Sequence, residues 1–283
     1  MVGRTGFEPA TFCTSSTSSS LKDFYDFQVV DLQRAETTAK DKVYYISKFF
    51  NEVRLNPKDV RVEDVRHYLR NLDCSCHVYK NLLGALKVFF RDFMHLPEVV
   101  ESFKFPRAPF KPKIVPTRKE IQRFFGAIDS KLGEALFLFY ASSGLRKSEV
   151  LGLTKNSIDF EKRMIIPAGH SGGTKSSYVS FYNIETEQAL NKIELGEEKL
   201  FKVSDRQYKK IWKSAMKKSG LHITAQKIRE WFCCEMGSLS VSDRYIDAFC
   251  GRTPKSVLAR HYTEYNPEKL KVIYEKANLK ILL

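Results

Sequence analysis

Four prolines, Pro106, Pro109, Pro112 and Pro116, fall within eleven residues of this chain. Proline lacks a backbone donor and clashes with the preceding turn, so no regular helix crosses such a stretch. Residues 107–116 therefore read as an extended linker between two globular parts. Its cations Arg107, Lys111 and Lys113, followed by Arg118, suit either a strand laid along an anionic backbone or an ordinary solvated connection. With 283 residues, the chain has room for a domain of ordinary size on each side.

Ahead of the linker, residues 1–20 read as a disordered tail, because positions 11–20 are almost all Ser and Thr. Residues 21–106 carry apolar side chains at three- and four-residue spacing, the mark of helices with one buried face. Val43, Tyr44, Ile46, Phe49 and Phe50 define one such face, and Val65, Tyr68, Leu69 and Leu72 a second. Between them, Asn56-Pro57 is expected to cap and open a helix. Residues 78–93 place Leu82, Leu83, Leu86, Phe89 and Phe90 inward and Lys80, Lys87 and Arg91 outward. A small domain of four or five helices follows, and its outward cations are candidate DNA contacts.

Beyond the linker, residues 117–283 open with Thr117 as an N-cap and a helix through Ile128. The almost wholly apolar run 132–141 is a buried central helix. Residues 158–167 and 175–182 are β-rich, which predicts a hairpin or small antiparallel sheet. From Asp205 onward the pattern returns to helix. The expected fold is mainly α with a small antiparallel β element, in two domains.

A formal net charge of +14 and a pI of about 9.4 call for an anionic partner. Nucleic acid comes first, and a membrane surface falls behind because no single basic amphipathic helix dominates. No apolar run approaches the roughly 20 residues that span a bilayer. The first twenty residues lack the basic and apolar segments of a secretory signal, so a place in the cell interior is expected. The six cysteines, Cys13, Cys74, Cys76, Cys233, Cys234 and Cys250, show no metal-binding spacing and read as reduced thiols.

The string most specific for chemistry is Tyr140-Ala141-Ser142-Ser143-Gly144-Leu145-Arg146-Lys147-Ser148-Glu149-Val150-Leu151-Gly152-Leu153. Gly144 ends the buried helix, and Arg146 stands at the turn into the next, anchored by Val150, Leu151 and Leu153. An arginine fixed between buried helices needs an anion. Its planar fork suits a phosphate, although a structural ion pair with Glu149 would also satisfy it.

This string resembles the first arginine box of the tyrosine recombinase (phage integrase) family. The resemblance extends along the second half of the chain, box by box and in order. Gly173-Thr174-Lys175-Ser176-Ser177 lies where the family carries its catalytic lysine on a hairpin, which implies that Lys175 protonates a leaving 5′-oxygen. Thr224-Ala225-Gln226-Lys227-Ile228-Arg229 resembles the His-x-x-Arg box and implies Arg229 as a second phosphate clamp. Residues 226 and 229 are expected on one helix face. Gln226 stands where histidine is usual; glutamine hydrogen-bonds a phosphate oxygen but is no general base near neutral pH. Cys250-Gly251-Arg252-Thr253-Pro254-Lys255 resembles the Leu-Gly-His box, with Arg252 in the histidine position, a feature associated with integrases of archaeal viruses and plasmids. Thr253 and Pro254 read as a cap and first helical residue, a start that favours phosphate. Ala259-Arg260-His261-Tyr262-Thr263-Glu264-Tyr265 resembles the nucleophile box. Tyr262 lies ten residues after Arg252 (262 − 252), as the family pattern requires, whereas Tyr265 lies too far along.

The resemblance implies a helical core-binding domain plus a catalytic domain that together clamp double-stranded DNA. Tyr262 would form a 3′-phosphotyrosine while Arg146, Arg229 and Arg252 neutralise the phosphate, with Glu149 orienting the cluster from behind. It implies no cofactor, whether metal or ATP. It also implies a homo-tetramer on two duplexes, with a last helix opened by Asn266-Pro267 and carrying Leu270, Ile273, Tyr274 and Ala277 packed on a neighbouring subunit; packing on its own domain is the alternative. A mobile-element integrase fits best; a dimer resolvase of the Xer type, a relaxing topoisomerase of the same lineage and an inactive DNA-binding relative are the alternatives. Gly6-Phe7-Glu8-Pro9 can be encoded by a sequence resembling the T-arm of a tRNA gene, so residues 3–13 are read as a translated attachment site.

Overall fold

Helix formation here follows aromatic anchors more closely than local propensity. A computed structural model describes residues 15–107, 109, 112–167, 178–252, 257 and 263–282, with side chains from residue 19 onward. Lys111, Lys175, Tyr262, the Thr253–Pro254 cap and the 3–13 segment lie outside the described residues. The chain divides into two compact units, Met1–Pro112 and Lys113–Leu283.

In the first unit, α1 runs Ser15–Val30, α2 Glu36–Val53, α3 Val62–Arg70 and α4 Cys76–Lys87. The expected tail through residue 20 is thus corrected, since its last six residues are helical. Serine is an adequate helix former when the helix is held elsewhere, and Leu21 and Phe24 hold α1 in the core. Phe24 meets Phe89 edge-on at 5.0 Å between ring centres, and Phe49 meets Tyr68 likewise at 5.0 Å, a favoured aromatic geometry. Asn56-Pro57 does not open α3. It lies in a turn closed by Asp59 N–H donating to the Asn56 carbonyl at 2.9 Å. The cap comes from inside the helix, where the Asp64 carboxylate accepts from Arg61 N–H at 2.8 Å. The expected single helix over 78–93 changes pitch: α4 gives way to a π-helical turn, Val88–Phe93. Adjacent Phe89 and Phe90 are both fully buried in that turn.

The second unit begins with α5, Arg118–Gly126, capped by Thr117 as expected. Its centre is α6, Lys131–Ser143, which buries every residue from Ala135 to Ser143 and packs against several neighbours. Then come α7 (Lys147–Gly152), β1 (Ile158–Asp159), β2 (Met164–Ile165), β3 (Ser180–Phe181), α8 (Ile184–Leu190), α9 (Asp205–Ser219), α10 (Ala225–Ser238), α11 (Asp243–Phe249) and α12 (Pro267–Ala277). The strands form an antiparallel sheet in the order β1-β2-β3, with Ile158 opposite Ile165 and Met164 opposite Phe181. The β-rich stretch 158–167 therefore holds two strands and a turn. Asp159 closes that turn by accepting from Lys162 N–H at 3.0 Å.

The expectation that the last helix packs on a neighbouring subunit is also corrected. Leu270, Tyr274, Ala277, Leu279 and Ile281 are buried in their own unit's core. The Tyr274 hydroxyl donates to the Ser142 carbonyl at 2.8 Å, and Glu185 accepts from the N–H groups of Ile281 and Leu282. Among the described residues, no helix is long and apolar enough to cross a membrane.

Candidate active site

Three short segments far apart in sequence meet where α6 ends, α10 passes and α11 ends. Gly144 terminates α6 with φ of +64°, a conformation that glycine adopts without strain. A Cβ at this position would stand 2.4 Å from Phe232 Cδ1 on α10, so the turn and α10 touch directly. Cys250 caps α11, and Gly251 follows with φ of +57°.

These two turns aim their carbonyls at arginines. Arg229, on α10 and only 3% exposed, donates from Nη1 to the Gly144 carbonyl and from Nη2 to the Cys250 carbonyl, both at 2.6 Å. Arg146, the N-cap of α7, donates from Nη2 to the Gly251 carbonyl at 3.1 Å. The buried Glu149 carboxylate accepts from Arg146 twice, from its backbone N–H and from Nη1, each at 2.7 Å. Both readings of Arg146 therefore meet: the ion pair with Glu149 exists, and it fixes a guanidinium that is still 26% exposed. Arg252 pairs loosely with Asp247 at 3.3 Å and donates from Nη2 to Cys233 Sγ at 3.4 Å.

The electrostatics are those of an anion site. Burial holds the Arg229 guanidinium below its ordinary pKa range; Cys250 opposes that, and the charges of Arg146 and Arg252 add to it. Among the described residues no carboxylate forms an ion pair with Arg229; its side-chain partners are carbonyls and its charged neighbours are cations. Desolvating a guanidinium without a counter-charge is costly. A bound phosphate would supply that charge.

Arg146, Arg229 and Arg252 are thus brought together, with Glu149 behind the first. Gln226 is not. It is exposed and donates to Glu230 Oε1 at 3.3 Å, a carboxylate that also takes Lys113 at 2.6 Å. Residues 226 and 229 are offset by a sixth of a helical turn, enough to leave one at the surface and bury the other. Of the expected DNA contacts, Arg91 and Arg107 are exposed, Lys80 and Lys87 are half-buried, and Lys87 reaches the Glu101 carbonyl at 3.4 Å. Arg91 pairs with Asp92 at 2.7 Å, and Arg118 pairs with Glu235 on α10. The exposed Arg91 pair is of a kind worth about 0–1 kcal/mol and yields readily to a phosphate.

Two participants escaped the reading of the sequence, Asp247 and the thiol of Cys233. The signal for the second was present: Cys233 follows Arg229 by four residues (233 − 229), one turn along the same helix face.

Replacing Glu149 with glutamine keeps an acceptor for the Arg146 backbone but removes the charge that orients its guanidinium. Unfolding measurements should show a loss of about 1.5–3 kcal/mol, the scale of a hydrogen bond to a charged group. DNA cleavage should fall alongside it, and cleavage at the wild-type rate would mean that Glu149 does not position Arg146.

Residues 113–276 match the family model described as archaeal phage integrase. The chain is 27% identical to tyrosine recombinase XerA of Pyrococcus horikoshii, over 87% of this chain and 89% of that protein. It is 28% identical to XerA of Thermococcus kodakarensis, over 88% and 93%. Its fold is similar to that of a lambda integrase(75-356) dimer bound to a COC′ core site, with a TM-score of 0.66, 14% identity and coverage of 88% of this chain and 97% of that one.

Proposed function

Because the chain belongs to the archaeal phage integrase family, whose model spans more than half of it, we propose that it breaks and rejoins double-stranded DNA through a covalent bond between Tyr262 and a phosphate. One observation carries this reading beyond family membership: a buried guanidinium, Arg229, feels the charges of two others and has no carboxylate paired to it among the described residues.

The chemistry follows from those charges. As the Tyr262 phenolate attacks, negative charge builds on the non-bridging oxygens of the phosphodiester. On this reading Arg146, Arg229 and Arg252 receive it, and preorganised donors of this kind each supply about 10²–10³ in rate. A phenol loses its proton only near pH 10 in water, so the cationic field must also favour the phenolate. Lys175 protonates the departing 5′-oxygen. The phosphotyrosine conserves the energy of the broken phosphodiester, and a 5′-hydroxyl from a partner strand reverses the step without ATP. Two domains joined by the basic linker at 107–116 grip the DNA, and four chains act on two duplexes. Gln226, at the surface, is left with a DNA-contacting role at most.

Integration of a mobile element at a tRNA gene is the preferred substrate reading, supported by the codons available to Gly6-Phe7-Glu8-Pro9. The XerA relatives favour a second reading, dimer resolution. A nicked duplex separates them, because cleavage beside the nick frees a short strand and traps the covalent complex. Complexes stable to detergent should form on duplexes drawn from tRNA genes that match the 3–13 codons. If trapping occurs only on a chromosomal resolution site, resolution is correct; if supercoils are relaxed without site preference, neither is.

A further inference from the structure

Beside the arginine cluster lies a pair of thiols that strand transfer does not use. Cys233 on α10 and Cys250 at the end of α11 place their sulfurs 3.5 Å apart. Cys250 is fully buried, Cys233 is half-buried, and Cys233 Sγ also accepts from Arg252 Nη2 at 3.4 Å. Both residues are tied to the phosphate clamp by other atoms too. The Cys250 carbonyl holds Arg229, and Cys233 sits one turn from Arg229 on the same helix.

We propose that Cys233 and Cys250 are a peroxide-sensitive modification site, closing to a disulfide that switches the neighbouring arginine cluster off. Cys233 is the attacking thiol. The Cys250 hydrogen bond first, and then the Arg252 and Arg229 charges, outweigh burial and lower the Cys233 thiol, whereas the hydrogen bond from Cys233 and burial push Cys250 up. A thiolate beside guanidinium groups and within reach of solvent is the reactive kind. The adjacent Cys234 is more exposed, but burial and then the charge of Cys233 raise it, so it serves as an internal control.

The oxidant is hydrogen peroxide or an alkyl hydroperoxide. The Cys233 thiolate attacks one peroxide oxygen and the O–O bond breaks, so hydroxide leaves from hydrogen peroxide or alkoxide from an alkyl hydroperoxide, giving a sulfenic acid. The Cys250 sulfur then displaces that hydroxyl; its own proton leaves with the hydroxide as water, and the S–S bond forms. Two thiols have lost two electrons and the peroxide has gained them. Bonding brings the sulfurs from 3.5 Å to about 2.05 Å. It draws α10 and the Cys250 turn together and removes the thiolate that holds Arg252. A thiol reductant reverses it.

The effect on DNA rests on the reading of the cluster as catalytic, so the test has two separate readouts. Full-length protein is treated with hydrogen peroxide, digested without reduction and analysed by mass spectrometry, with Cys233→Ser and Cys250→Ser in parallel. The expected product is a peptide pair joined through Cys233 and Cys250, two hydrogens lighter than the free thiols and absent from both variants. Covalent trapping on nicked DNA is then measured for each protein as the ratio of oxidised to reduced. The wild-type ratio should fall about 10²-fold, the scale of one misplaced donor, and recover with dithiothreitol, while the Cys233→Ser ratio stays near one. Linkage of Cys233 to Cys234, no linkage at all, or an unchanged wild-type ratio with the bridge formed would each overturn the proposal. Should reduced protein trap no DNA, the recombinase reading fails instead, and the mass readout still decides the thiol pair.

Discussion

Phenylalanine in place of Tyr262 is expected to leave site-DNA binding within about twofold of wild type and to form no covalent complex. Affinity for duplex DNA comes mostly from cations on phosphates, and the phenol oxygen adds little to it. Cleavage has no substitute for that oxygen. Losing the nucleophile of a concerted site typically removes ~10⁶ of rate, whatever the other groups still contribute. Electrophoretic mobility shift and detergent-stable trapping, run on one nicked duplex, check both halves. A covalent complex in the Tyr262→Phe variant would transfer the nucleophile's role elsewhere.

Arg229 is expected to show the next largest effect, divided between folding and catalysis. Alanine removes a buried cation and leaves the Gly144 and Cys250 carbonyls without their donors. Each buried carbonyl left unsatisfied costs about 1–3 kcal/mol, and both turns, which also position Arg146 and Arg252, would loosen. Lysine keeps the charge but lacks the planar fork that reaches two carbonyls at once. Arg229→Lys should therefore melt closer to wild type than Arg229→Ala while still losing about 10²–10³ in cleavage rate. Thermal unfolding of both variants beside single-turnover cleavage separates the contributions. If Arg229→Lys cleaves at the wild-type rate, the residue is a structural clamp for two turns and nothing more.

Much of this site is legible in the sequence, for reasons particular to its residues. An apolar run long enough for one helix, ended by Gly144, can only place the following polar residue at a turn beside the core, so Arg146 was locatable. Arg252 was locatable by its spacing from Tyr262 and the Gly251 before it. What pattern could not show is which partner each side chain chooses. Gln226 and Arg229 share a helix, yet one is exposed and paired with Glu230 while the other is buried under two carbonyls. The contact between Cys233 and Cys250 crosses two helices and leaves no periodic trace. Strands of two residues are too short for an alternation to register, so the sequence marks only a β-rich stretch where β1 and β2 lie. The Ser-rich start of α1 misled in the other direction, because Leu21 and Phe24 decide that helix from further along the chain. In the last helix, amphipathic spacing is the same whether the apolar face meets its own core or another chain; the Tyr274 bond to Ser142 made the difference.

On the proposed reading, one phosphodiester is held by three gathered arginines and attacked by one particular oxygen. The residue that carries the DNA is therefore the most direct measurement. Trapped complex is digested with nuclease and protease, and the peptide that bears a 3′-phosphonucleotide is sequenced by fragmentation. A single modified residue, Tyr262, is expected, with the adduct lost when Arg146, Arg229 or Arg252 is replaced by alanine. An adduct on Tyr265 or another residue, or one that persists through all three substitutions, would contradict it.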